Sequence, residues 1–425
     1  MRHRNYRLFF GGQGISLIGT WMQRIAISWL VYRLTNSVFL LGIVGFAGQI
    51  PSFVLAPIAG AFVDRWSRHR TLVVTQTLAM LQAVVLAVLV MTGVVAVWHI
   101  IFLGMCLGAV NAFDMPARQA FVVEMIERRE DLGNAIALNS SMVNGARLLG
   151  PSIAGVLISA VGEGMCFLLN GISYLAVIAA LLAMRIAPRR EVAQHPRVLQ
   201  GLKEGFHYAF GFAPIRSIMM LLGLVSLMGM PYQVLMPVFA KKILHGGPHT
   251  LGFLMAAAGL GALVGATYLA SRRSVLGLHT LIPLAAAIFG AGLIAFSRSG
   301  VTWLSLSLML VTGFGMMVQM ASSNTTLQTI VDDDKRGRVM AFYGMAFMGA
   351  APFGSLLAGG LANAVGAPNT ILIGGVVCIL GAALFARQLP KLTAMIHPIY
   401  AAKGVAPEPA LDIEATADLA KPSEI

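Results

Sequence analysis

The stretch LFFGGQGISLIGTWMQRIAISWLVY (8–32) is long and apolar enough to cross a lipid bilayer and contains one charge, Arg24. The segment LGNAIALNSSMVNGARLLGPSIAGVLISAVG (132–162) has the same character, and its one charge is Arg147. A bilayer core of roughly 30 Å requires about 20 helical residues. A charge at that depth costs about 3 kcal/mol or more and is usually kept for function. The two segments therefore predict membrane helices, and their arginines are the first candidates for a functional site.

The composition extends this prediction to the whole chain. Of the residues, 57% are hydrophobic and only 11% are charged, and no soluble domain could bury so much apolar surface. The charge-free runs and the breaks between them predict an all-α membrane protein with twelve spans. The predicted spans are 8–32, 38–62, 72–91, 97–115, 133–160, 164–184, 217–238, 249–270, 277–297, 301–322, 339–362 and 370–388.

The distribution of basic residues predicts the orientation of these spans. With the N-terminus inside, 24 of the 30 Lys and Arg residues fall on the cytoplasmic side, as the positive-inside rule requires. We therefore expect a multi-pass protein of the cell (inner) membrane with both termini in the cytoplasm. The same distribution explains the net charge of +13 without a nucleic-acid partner.

An internal repeat divides the chain into two halves. A shift of 204 residues aligns 118–162 with 322–366 without a gap, and 12 of the 45 positions are identical. Two parallel six-helix halves are a known transporter plan, with the substrate site between them near the midplane. We predict an N-terminal half (1–184), a linker (185–215) with an amphipathic helix around 198–212, a C-terminal half (216–389) and a disordered cytoplasmic tail (390–425).

The loop GAFVDRWSRHR (60–70) resembles motif A of the major facilitator superfamily, with matches at Gly60, Asp64, Arg65 and Arg68. The resemblance implies the superfamily's twelve-helix fold, and in that family this loop controls the cytoplasmic gate. A basic loop that merely obeys the positive-inside rule is the alternative.

The stretch ARLLGPSIAG (146–155) is similar to motif C of the same superfamily, which marks exporters that exchange substrate for protons. Small residues let helices approach closely, so a general packing face is the alternative. The motif-C positions are Ala146, Gly150, Pro151, Ala154 and Gly155.

The string MPARQAF (115–121) with Glu124 resembles the branch that contains the enterobactin exporter, the transmembrane secretion effectors. The embedded arginine that motif B of the superfamily places in the fourth helix is absent from GMCLG (104–108). This departure leaves Arg24 and Arg147 as the embedded cations.

The polar residues of the spans are candidates to line a substrate cavity. Two cations in spans without an acid favour an anionic or polyhydroxylated substrate, because an unpaired buried charge is unstable. The alternative is that the arginines bond helix carbonyls or pair with Asp114. The cavity candidates are Gln13, Thr20, Arg24, Asn111, Asn144 and Arg147.

The sequence thus predicts a secondary transporter, an exporter driven by the proton gradient, which acts on a small polar or anionic compound in the lipid bilayer. Asp64, Asp114 and Glu124 are the candidate proton-coupling carboxylates. No enzyme constellation, nucleotide loop or metal-ligand pattern is present, so we expect no catalysis, cofactor or metal, and we expect a monomer. A lipid or lysophospholipid carrier, an importer and a transporter-like receptor on the same fold are the alternatives.

Overall fold

The computed structural model describes residues 4–125, 131–184, 198–272 and 274–403, and all regular secondary structure in these ranges is helical. The first half contains α1 (Arg4–Thr35), α2 (Val38–Arg65), α3 (Arg68–Met91), α4 (Val97–Glu124), α5 (Leu132–Val161) and α6 (Glu163–Leu182). The linker contains α7 (Val198–Gly211). The second half contains α8 (Ala213–Leu224), α9 (Tyr232–Val238), α10 (Pro248–Ser271), α11 (Leu278–Ser297), α12 (Thr302–Ile330), α13 (Arg336–Met348), α14 (Ala350–Val365) and α15 (Ala367–Ala402).

The described helices form twelve spans, which confirms the predicted fold class. Eleven segments are long and apolar enough to cross a membrane. One of them, 213–243, contains α8, a π-helical segment (Val225–Gly229), α9 and a second π-helical segment (Phe239–Ile243). Another, 336–365, contains α13 and α14. α1 is the remaining span, and the polar stripe that includes Gln13 and Arg24 lowers its hydropathy.

The two ends of the bundle are named here by the course of α1. The proximal end is the end at which α1 begins, at Arg4, and the distal end is the end at which it finishes, at Thr35. Since successive spans alternate in direction, α5 finishes and α6 begins at the distal end. The mid-depth of the bundle contains Arg24 and Arg147, each near the middle of its helix.

Glycine contacts reproduce the sequence repeat in three dimensions. Gly150 of α5 packs against α1, and the position 204 residues later, Gly354 of α14, packs against Leu227 in the span of α8 and α9. Gly155 of α5 contacts Gly252 of α10, and its counterpart Gly359 of α14 contacts Gly42 of α2. Each repeat therefore uses one glycine to pack inside its own half and a second to contact the other half.

The two halves are joined from mid-depth to the distal end. At the distal end, Lys241 Nζ donates to Asn36 Oδ1 over 3.0 Å, and the Gly155–Gly252 and Gly42–Gly359 contacts lie nearby. At mid-depth, the Phe53 ring abuts Gly349. These contacts between described residues close the molecule at its distal end.

The linker helix α7 packs against the proximal end of the second half, in the place where the sequence predicts an amphipathic helix. Arg338 Nη1 donates to Glu204 Oε2 over 2.8 Å. The Tyr208 hydroxyl donates to Asp332 Oδ2 over 3.1 Å, and burial raises the pKa of Tyr208. These contacts attach α7 to the second half, and the linker residues 185–197 lie outside the described part of the chain.

The prediction of a disordered tail from residue 390 is wrong for residues 390–402, because α15 continues to Ala402 through Pro390 and Pro398. This extension buries Leu392, Ile396 and Tyr400, an apolar stripe at helical spacing. Lys403 Nζ then donates to the carbonyls of Thr329 and Val331 over 2.9 and 2.8 Å. The predicted tail beyond 403 lies outside the described residues.

Candidate functional site

The two embedded arginines meet at one aromatic ring. The guanidinium carbon of Arg24 lies 4.8 Å from the centroid of the Trp21 ring, and that of Arg147 lies 5.5 Å from the same centroid. Trp21 and Arg24 are both on α1, three residues apart, so their side chains share a helix face. Gly150 of α5 packs directly on Trp21, and this close approach of the two helices brings Arg147 to the same ring.

The Arg24–Trp21–Arg147 group, called here the arginine site, lies between the halves at mid-depth. The Nη2 atom of Arg147 approaches the sulfur of Met316, on α12 in the second half, at 3.8 Å. The Arg24 side chain is exposed, and Trp21 and Arg147 beside it are half-buried. Because the group lies between the halves at mid-depth, the exposure of Arg24 marks open space between them.

Two tyrosines lie near the arginine site. Tyr174 of α6 is near Arg24, and Tyr232 of α9 is near Arg147. Thr20 lies next to Tyr174, with 3.5 Å between the two hydroxyl oxygens, and its own hydroxyl also donates to the Ser16 carbonyl. The site therefore combines two cations, aromatic faces and hydroxyl groups from both halves.

Among the residues that the structure describes, the cations of the arginine site have no acidic partner. None of the ion pairs between described residues involves Arg24 or Arg147. The two guanidinium groups also repel each other electrostatically. Two like charges held together without a counterion have the electrostatic character of an anion-binding site.

The other predicted cavity residues lie apart from the arginine pair or bond within their own helix. Asn144 is buried and donates to the Ser140 carbonyl over 3.0 Å. Gln13 is also buried, and it lies eleven residues before Arg24 on α1, towards the proximal end. Asn111 is half-buried on α4. Of the predicted set, the structure brings Arg24 and Arg147 together, with Thr20 beside them.

Asp114 is the acceptor of a buried hydrogen-bond cluster inside the first half. Thr75 Oγ1 donates to its Oδ1 over 2.8 Å, Gln76 Nε2 donates over 2.7 Å, and Arg118 forms an ion pair with Oδ2. The alternative that Asp114 neutralises Arg24 or Arg147 is therefore wrong, because Arg118, four residues along α4, occupies that role. The spacing of Asp114 and Arg118 at i and i+4 is the sequence signal for this pair.

The motif A residues lie at the proximal end, where Arg68 pairs with Glu124. The Arg68 Nη1 atom donates to Glu124 Oε1 over 2.8 Å and to the Ala120 carbonyl over 3.3 Å. Glu124 is the last residue of α4 rather than part of the following loop, because α4 continues nine residues beyond the predicted end of its span. A Cβ added at Gly60 would meet no atom within 4 Å outside its own helical turn. The side chains of Asp64 and Arg65 fall outside the structural description.

The motif C residues form a packing face, which was the alternative to an exporter motif, and this face contacts both halves. A Cβ on Gly150 would lie 2.5 Å from Trp21 Cβ, and one on Gly155 would lie 3.0 Å from Gly252 Cα. The Pro151 carbonyl also faces Gly252, and Ala146 and Ala154 are buried. The Gly150 contact therefore positions the arginine site, and the contacts of Pro151 and Gly155 with Gly252 join the two halves near the distal end.

The sequence does not predict the ion pair between Arg33 and Glu163, because both residues lie just outside predicted spans. Glu163, the first residue of α6, is buried at the distal end and accepts two hydrogen bonds from Arg33 of α1. The sequence spacing of 130 residues gives no local signal for this contact.

Comparison with known proteins shows the relationships of the chain. A model of a family described as transmembrane secretion effector matches residues 1–418. The chain is 26% identical to the staphyloferrin A transporter of Staphylococcus aureus over 91% of this chain and 97% of that protein. It is 27% identical to the multidrug efflux pump Tap of Mycolicibacterium fortuitum over 85% of this chain and 88% of that protein.

The fold is similar to that of a solved transporter. The structure matches a bacterial homologue of the human lysosomal transporter Spinster, captured in an inward-facing and unoccupied conformation, with a TM-score of 0.70. The sequence identity is 13%, and the match covers 92% of this chain and 99% of that one. At this identity the likeness concerns the fold alone.

Proposed function

Because this chain belongs to the transmembrane secretion effector family of the major facilitator superfamily, we propose that it exports a small anionic organic compound, siderophore-like or drug-like, across the cell membrane. The observation that carries the proposal is the arginine site, where Arg24 and Arg147 share the Trp21 ring and have no acidic partner among the described residues. A substrate carboxylate or catecholate would supply the missing charge, and a substrate ring would stack on the indole.

The orientation of the protein in the membrane follows from the distribution of its basic residues between the two ends of the bundle. The proximal end contains the N-terminal helix start, the 2–3 loop, the linker helix and the 10–11 loop, and these segments hold nine described Lys and Arg residues. The distal end holds four, which are Arg33, Lys241, Lys242 and Arg298. By the positive-inside rule, the proximal end faces the cytoplasm and both termini are cytoplasmic. The distally closed state is then inward-facing and opens the arginine site to substrate from the cytoplasm.

The transport cycle is alternating access driven by protons. The substrate binds between the halves, the distal seam of α5 with α10 and α2 with α14 opens, and the proximal gate closes. The motif C resemblance and the names of the related efflux proteins support export with proton exchange. Each chain holds a complete arginine site between its own two halves, so the transporter acts as a monomer.

Proton movement in everted membrane vesicles tests the proposal. The vesicles contain the overexpressed chain and are acidified by respiration, and an anionic siderophore, a cationic dye and a neutral macrolide are then added in turn. We expect proton release with the anion alone. Arg24→Ala should weaken the response about 10- to 100-fold, since a hydrogen bond to a charged group contributes about 1.5–3 kcal/mol.

Arg216→Ala is the matched control, because this arginine is exposed at the proximal start of α8. It should leave the response unchanged. Proton release with cations, or an unaltered response in Arg24→Ala, would refute an anion site and favour multidrug efflux. Silence with all three compounds would instead favour a lipid carrier or an importer on the same fold.

A further inference from the structure

The second half contributes a buried tyrosine near the arginine site, and the proposed function has not used it. Tyr232 is the first residue of α9, and only 2% of it is exposed. Its ring packs edge-on against Phe289 of α11, with 6.2 Å between the ring centroids. Its hydroxyl has no hydrogen-bond partner among the described residues, since the nearby Gln233 side chain does not meet hydrogen-bond geometry.

A buried tyrosine hydroxyl without a partner requires an explanation. Buried tyrosines usually place their hydroxyl against an acceptor, because the group loses its hydrogen bonds to water on burial. The packing against Phe289 needs only the ring, which a phenylalanine would supply equally well. The hydroxyl of Tyr232 is therefore a donor that an oxygen atom of a substrate can satisfy.

The position of Tyr232 matches the depth of the arginine site. Tyr232 lies eleven residues before the end of its span at Ile243, and Arg24 lies eleven residues before the end of α1 at Thr35. Both spans run from the proximal to the distal end.

The helix of Tyr232 lies at the boundary between the two halves. α9 contacts α1 and α2 of the first half, and Val234 Cγ2 lies 3.5 Å from a Cβ added at Gly45 of α2. The π-helical segment Val225–Gly229 interrupts the span just before α9. Interruptions of this kind are frequent at functional sites.

Arg147 connects this tyrosine with the arginine site. It belongs to α5 of the first half, but its Nη2 atom approaches the sulfur of Met316 in the second half at 3.8 Å, and Tyr232 lies near it. A thioether is a weak acceptor, so the guanidinium retains donors for an anion. A carboxylate or a catecholate has two oxygens, and these can accept from a guanidinium and from a phenol at once.

We propose that Tyr232 is a substrate-recognition residue, whose hydroxyl donates a hydrogen bond to the anionic group that Arg147 binds. The anion then bridges the two halves, since Arg147 belongs to the first half and Tyr232 to the second. Because the hydroxyl is covered in the distally closed state, this bond forms as the halves close around the substrate. The inference rests on the proposed anion site and adds its contact in the second half.

Equilibrium binding to the purified full-length chain tests this inference. The dissociation constants of a catecholate siderophore and a carboxylate siderophore are measured for the parent chain, Tyr232→Phe, Arg147→Gln and the double variant. Tyr32→Phe is the matched control, because Tyr32 is also buried and its hydroxyl has no partner among the described residues. Tyr32 lies about 12 Å beyond Arg24 along α1. The melting temperature of each variant is measured without substrate.

We expect Tyr232→Phe to weaken the binding of both siderophores about 10-fold, because a hydrogen bond to a charged group is lost. The loss should be smaller in the Arg147→Gln background, since the two residues hold the same anionic group. Without substrate, Tyr232→Phe should melt at the temperature of the parent or above it, because the unpaired hydroxyl contributes no bond. Tyr32→Phe should leave both affinities unchanged.

Unchanged affinity in Tyr232→Phe, together with a loss in Arg147→Gln, would overturn this inference and leave the proposed function standing. A lower melting temperature of Tyr232→Phe without substrate would assign the hydroxyl to the structure of the second half and would also overturn it. Equal losses of affinity in Tyr232→Phe and Tyr32→Phe would have the same consequence. Failure of the parent chain to bind either siderophore would overturn both the proposed anion export and this inference.

Discussion

Closure of the distal end depends on a contact between two glycines, and one methyl group should be enough to disturb it. A Cβ on Gly359 would lie 2.8 Å from Gly42 Cα and 3.2 Å from the Phe39 carbonyl oxygen. A Cβ added at the next residue, Gly360, would meet no atom within 4 Å outside its own helical turn. Gly359→Ala therefore places a methyl group in the seam between the halves, and Gly360→Ala is a matched control on the same helix.

The size of the effect follows from the contact. Both substitutions gain about 1 kcal/mol of helix propensity, so this contribution cancels in the comparison. Overpacking of a close contact costs about 1–3 kcal/mol, and in Gly359→Ala that cost falls on the distally closed state alone. The ratio of open to closed molecules should therefore rise about 5- to 150-fold.

Distances between spin labels at the distal end measure this ratio. Labels at Val94→Cys and Val301→Cys, both exposed positions on opposite halves, report the separation in a chain without its native cysteines. We expect Gly359→Ala to populate longer distances and Gly360→Ala to match the parent. Identical distributions for the two variants, or a shift in Gly360→Ala alone, would refute the assignment of the Gly42–Gly359 contact to the closed gate.

Three further predictions concern polar contacts. Asp114→Asn should lower the melting temperature of the purified protein, because removal of one partner from a buried pair costs about 3–5 kcal/mol; Arg118→Gln in the same chain should restore part of it. Glu124→Gln breaks the partly exposed pair with Arg68 and should change the free energy of unfolding by no more than about 1 kcal/mol in chemical denaturation. Lys403→Met removes the two bonds to the end of α12 and should speed amide hydrogen exchange at 326–331, whereas unchanged exchange would exclude a capping role.

The fold could be predicted from the sequence because the membrane imposes strong constraints. Span length follows from bilayer thickness, and the repeat at a shift of 204 residues reveals the two halves. The predicted helix ends were less accurate than the predicted number of spans. α4 and α15 continue beyond their predicted spans, because a helix does not stop where the hydrocarbon core ends.

The arginine site could be predicted only in part. The lone charges in apolar spans identified Arg24 and Arg147, since such residues are rare without a function. That they share the Trp21 ring depends on the packing of α5 on α1 at Gly150, which periodicity does not determine. The Arg33–Glu163 pair joins distant span ends, where a charge is unremarkable in sequence.

The central claim is that Arg24 and Arg147 bind the anionic group of the substrate, and equilibrium binding to the purified protein tests it most directly. The affinity for an anionic siderophore is measured over a range of salt concentrations in the parent chain, Arg24→Gln, Arg147→Gln and the exposed control Arg216→Gln. We expect each of the first two variants to weaken binding about 10- to 100-fold and to reduce its salt dependence. Unchanged affinity in both variants would contradict the claim.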